Sequence, residues 1–93
     1  MADKDKIKEI LSARLDIHTI KIIDESHSHA GHNPDAASGG THFQLLIVSQ
    51  DFQGKTSVAR HKLIYKILEK EFKAGLHALA IKALTPQEYL SAQ

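Results

Sequence analysis

The chain contains no cysteine, so it can form no disulfide, no thiolate zinc site and no iron–sulfur cluster held by its own sulfurs. Any metal must be met by His, Asp or Glu, or by thiols that another molecule brings. Neither sign of charge is in excess. Lys and Arg total 12 against 11 Asp and Glu, +1 overall, too little for a general attraction to nucleic acid or anionic lipid. Long apolar runs are also missing: stretches such as Leu45 to Val48 fall far below the roughly 20 residues that span a bilayer. The start carries Asp3, Lys4, Asp5 and Lys6, unlike the apolar core of a secretory signal or an acid-poor transit peptide. The expectation is a cytoplasmic or organelle-matrix protein with no membrane contact. A length of 93 residues supports one hydrophobic core, hence a single domain over 1–93.

Histidine is what the chain has in abundance, with seven in all. Their placement depends on the order of elements. Ile7, Ile10, Leu11 and Leu15 recur at helical spacing between Lys and Glu residues, predicting an amphipathic first helix capped by Asp3 and ending near Asp16. Thr19 to Asp24 is β-branched and apolar, a short strand. Residues 25–41 are rich in Gly, Ser, Asn and His and show no period, which predicts a loop longer than compact domains normally carry. His42 to Ser49 alternates, with Phe43, Leu45 and Ile47 facing one way. After the turn at Asp51 to Lys55, Thr56 or Ser57 caps a long second helix whose inward face is read as His61, Ile64, Leu68 and Phe72. Gly75 ends it. Ala78 to Ala83 forms a third strand, and Thr85-Pro86-Gln87-Glu88 is a capping box with proline at the first helical position, opening a short last helix. The predicted fold is α+β in the order α-β-β-α-β-α. Its three-stranded mixed sheet has an antiparallel first pair, a parallel second pair joined through the helix, and helices gathered on one face.

Three groups of residues could carry chemistry. His61 lies three, four and seven positions before Ile64, Tyr65 and Leu68, on the inward side of its helix, where it is either hydrogen-bonded in the core or a metal ligand. His27, His29 and His32 form an H-x-H-x-x-H cluster in the loop, with several imidazoles in reach of one ion. Lys55, Arg60, Lys62, Lys66 and Lys70 concentrate positive charge on the second helix and its lead-in, as a nucleic-acid surface requires, with Glu69 and Glu71 diluting it. His18, His42 and His77 are read as structural. Gly54-Lys55-Thr56 resembles the end of a phosphate-binding loop, but Ser49 stands where that motif needs glycine. No Gly-x-Ser-x-Gly turn or cysteine nucleophile is present, and Asp51, Glu69, Glu71 and Glu88 fall in turns or at solvated helical positions, so catalysis is not expected.

Read in order, Asp24-Glu25-Ser26 before a histidine-bearing loop, Thr41-His42-Phe43, the stretch from Phe52-Gln53-Gly54-Lys55 to Arg60-His61-Lys62-Leu63-Ile64-Tyr65, His77-Ala78-Leu79 and Thr85-Pro86-Gln87-Glu88 together resemble the BolA family over nearly the whole chain. The resemblance implies a fold similar to class II KH domains. It also implies a monothiol glutaredoxin as partner, with a [2Fe–2S] cluster held between the two. In that complex glutaredoxin and glutathione would supply sulfur and this chain histidine: His61 by its Arg-His motif, and His29 in the loop, with His27 and His32 as near alternatives. Alone, the chain is expected to be a monomer or weak homodimer. The alternative implied role is a stress-responsive DNA-binding regulator. KH domains grip nucleic acid through a Gly-x-x-Gly loop that this chain lacks before any helix, so DNA contact would fall to Lys55, Arg60, Lys62 and Lys66.

Overall fold

The periodicity of Ile7, Leu11 and Leu15 produces helix α1, Lys4–Arg14, with Ile7 and Leu11 fully buried. The computed structural model describes residues 4–25 and 42–92. The expected Asp3 cap and the loop histidines His27, His29 and His32 therefore lie outside the described residues. Strand β1 spans Ile17–Asp24 and β2 spans His42–Ser49. Thr56 proves to be the cap of α2, Ser57–Ile67, its side chain accepting the Ala59 N–H at 3.1 Å. The predicted long helix is divided in two, with α3 at Glu69–Lys73. No proline or glycine marks the break; it falls at Leu68, fully buried and bent to φ −96° and ψ 13°. Gly75 then leaves the helix at φ 129°, a conformation that disfavours any side chain. Strand β3, Ala78–Leu84, and helix α4, Pro86–Ser91, follow, α4 opening on the capping box between Thr85 and Glu88.

The sheet order is β1-β2-β3, antiparallel then parallel, as the connection lengths require. Helices α1 to α3 cover one face, where Ile7, Leu11, Ile64 and Leu68 meet Phe43, Leu45, Ile47 and Leu79. The expectation of helices on one face holds for these three. Short α4 borders the other face, its Tyr89 sharing a groove with Lys21, Ile23, Leu46 and Lys82.

Two charged residues read as surface prove to be buried. Counting by fours from Ile64 and Leu68 places Arg60 on the same inward stripe, and Glu71 continues it one turn further. Arg60 is 8% and Glu71 3% exposed. Glu71, expected at a solvated position, turns inward with an ion pair to Lys6 at 3.4 Å. Charged groups tolerate burial only when paired, and the pairing partners come from α1 and α4, far away in sequence. Arg60 is correspondingly withdrawn from the basic surface predicted for the helix.

Candidate functional site

The parallel pairing of β2 with β3 brings the starts of both strands to one end of the sheet, with His42 opposite Ala78. His77, immediately before β3, is thereby set beside His42, their ring centroids 6.1 Å apart and nearly perpendicular at 81°. His77 is exposed and His42 half-buried. The same end carries both anchors of the histidine-rich segment. Glu25 closes β1 by donating its backbone N–H to the His42 carbonyl at 2.7 Å, and its carboxylate accepts from Gln44 Nε2 at 3.1 Å. A metal–nitrogen bond of about 2 Å separates the centroids of two imidazoles on one ion by roughly 5 Å, a shorter distance than the 6.1 Å between these two. Among the described residues, no group of three or more His, Asp or Glu gathers to hold a metal ion; a complete ligand set here needs donors from elsewhere.

His61 lies towards the opposite end. Its neighbour Arg60 donates to the Ala83 carbonyl at 3.0 Å and to the Lys55 carbonyl at 3.0 Å, groups that belong to the end of β3 and the entry to α2. Counted along β3 at about 3.3 Å per residue, that level is roughly 20 Å from His77. His61 is not among the side chains that meet at the His42–His77 corner. Sequence reading gave His42 and His77 structural roles. Their approach follows from the register of the parallel β2–β3 pair, His42 opposite Ala78, which no local pattern encodes.

The Arg60 end is an electrostatic clamp. Arg60 Nη1 meets Glu88 Oε1 at 2.6 Å, and its guanidinium lies 5.9 Å from the Phe52 ring centre. The guanidinium bond, reinforced by the Thr85 N–H, lowers the Glu88 carboxyl from its ordinary 4.5 to about 2. A carboxylate favoured in this way contributes stability in full above pH 4.5, and the contribution disappears as pH falls towards 2. Glu88→Gln should therefore be less stable than the unmodified protein at neutral pH. In melting curves the gap between the two should narrow steadily as pH is lowered from 4.5 to 2; a constant gap would refute the coupling. Of the predicted nucleic-acid residues, Lys55, Lys62 and Lys66 are exposed, with Lys62 and Lys66 one turn apart on α2.

Comparison with known proteins adds an independent line. The family described as BolA-like protein matches residues 11–88. The chain is 42% identical over 94 residues to UV-induced protein uvi31 of Schizosaccharomyces pombe, covering 95% of this chain and 90% of that protein. It is 49% identical over 87 residues to SufE-like protein 1, chloroplastic/mitochondrial, of Arabidopsis thaliana, covering 89% of this chain but only 24% of that longer protein. With the DNA-binding transcriptional regulator BolA of Escherichia coli, identity is 34% over 89 residues, 96% of this chain and 81% of the regulator. Among solved structures, the BolA domain of SufE1 from Arabidopsis thaliana superposes with a TM-score of 0.80 at 50% identity, covering 90% of this chain and 92% of that one.

Proposed function

The chain belongs to the family of BolA-like proteins, and on that premise we propose that it is a non-catalytic partner protein that holds a [2Fe–2S] cluster jointly with a monothiol glutaredoxin. The observation that carries this reading is the His42–His77 corner at the foot of a histidine-rich segment in a chain without cysteine. Such a chain can offer an iron–sulfur cluster nitrogen but no sulfur, so the thiolates must come from the glutaredoxin cysteine and glutathione. His77, exposed and beside His42, is the proposed ligand from the folded part. One of His29, His27 or His32 supplies the second, and His42 stands behind His77. Histidine in place of thiolate raises a cluster's reduction potential, which suits transfer or sensing. The names of the relatives, regulators and BolA-like proteins rather than enzymes, agree with a binding role. The cytoplasm or an organelle matrix is the compartment proposed for it, one relative being named chloroplastic/mitochondrial.

The test is reconstitution of the purified protein with a monothiol glutaredoxin, glutathione, iron and sulfide, followed by visible absorption and circular dichroism. A spectrum distinct from that of the glutaredoxin homodimer supports the reading, and an unchanged homodimer spectrum sinks it. With His77 and one loop histidine as the ligands, His61→Ala should leave the mixed spectrum and its lifetime at the level of the unmodified protein. Loss of the spectrum in that variant would return His61 to the ligand set.

A second reading, DNA binding, is favoured by the name of the Escherichia coli relative and by exposed Lys62 and Lys66 on α2. Duplex DNA titrated at two salt concentrations tests it, because contacts to phosphate weaken steeply as salt rises.

A further inference from the structure

The sheet face turned away from α1 to α3 carries apolar side chains among its polar ones, where an uncovered face should be polar. Strand register fixes its composition row by row. Lys21 pairs with Leu46 and Leu46 with Lys82, so one row reads lysine, leucine, lysine across the three strands. The next row places Ile23, Gln44 and Ala80 side by side, and the row beyond it is that of His42. Ile23 is 57% exposed. Together these side chains and Tyr89 of α4 line an open groove of about 420 Å³. An exposed apolar strip rimmed by charge marks an interaction surface, and the row next to this one is that of His42.

We propose that this groove is the docking surface for the thiol-bearing protein that shares the cluster, and that the partner lays on it an apolar patch flanked by carboxylates. The inference rests on the cluster reading for the identity of the occupant. Two observations select that occupant. The groove ends one register row short of the corner where the partner's thiolates would arrive, and its two lysines, about 10 Å apart across the three strands, favour negative charge on either side of an apolar contact. A nucleic acid would find only two cations here, set among Ile23, Leu46 and Ala80. The arrangement also separates two tasks: the groove supplies affinity before any iron is present, and the histidines supply ligands afterwards.

The experiment measures iron-free binding. The unmodified protein and a Lys21→Glu/Lys82→Glu variant are titrated with apo monothiol glutaredoxin by calorimetry, and amide shifts of the 15N-labelled unmodified protein are followed in parallel. Both lysines are exposed, so the variant should fold, and its melting curve checks this. Weakening of about tenfold or more, with shifts centred on Lys21, Leu46 and Ala80, is the expected result for opposed charges at an interface. Undiminished affinity in the variant, or shifts confined to the outer side of α2, would overturn the docking surface. Intact iron-free binding without any mixed-cluster spectrum would instead overturn the cluster reading and leave the docking surface standing.

Discussion

Replacing His77 by alanine is expected to abolish the mixed-cluster spectrum while leaving the protein folded. The side chain is exposed and lies outside the hydrophobic core, so its removal should cost no more than about 0.5 kcal/mol. For the cluster the consequence is much larger. The chain has no thiolate to substitute for a lost nitrogen, and the remaining iron coordination would revert to the all-sulfur set of a glutaredoxin homodimer. Reconstitution followed by circular dichroism reads this directly. His42→Ala should be intermediate, with the mixed spectrum formed but shorter-lived, because the ring beside His77 is gone while the proposed ligand remains. A His77→Ala protein with the unmodified spectrum would remove this corner from the site.

Arg60→Ala should produce the largest loss of stability of any surface-to-core charge change in the molecule. The guanidinium is 8% exposed and joins the Lys55 carbonyl, the Ala83 carbonyl and the Glu88 carboxylate. Its removal strands a buried carbonyl at the end of β3 and releases α4 from α2. Removing a buried guanidinium that serves two carbonyls and a half-exposed carboxylate costs about 2 kcal/mol, which in a domain of this size lowers the melting temperature by roughly 10 °C. Arg60→Lys should recover only part of it, because one ammonium cannot replace a planar fork that serves three acceptors. Thermal melts of the three proteins measure both effects. An Arg60→Ala protein melting with the unmodified one would mean that these contacts are not formed in solution.

Much of this architecture is written in local pattern. Spacing of Ile7, Leu11 and Leu15, alternation through Phe43, Leu45 and Ile47, the Thr56 cap, Gly75 and the Thr85 to Glu88 capping box each act over a few residues, and each is where the sequence places it. The division of the second helix at Leu68 has no local mark, since neither proline nor glycine stands there. Arg60 and Glu71 were misplaced for a related reason. Charge argues for solvent unless a counter-charge is supplied, and Glu88 and Lys6 supply it from elements 28 and 65 positions away.

What the sequence by itself determined is the chemistry on offer: nitrogen but no sulfur, one short core, three strands and their order. Which histidines meet was decided only by tertiary structure. Helical periodicity pointed to His61, since its spacing from Ile64 and Leu68 is a relation within one element. His42 and His77 lie 35 residues apart, and their 6.1 Å approach exists because β3 returns parallel to β2 and starts at the same edge. Register between strands is a long-range property, set when the whole core closes, and no window of sequence contains both partners.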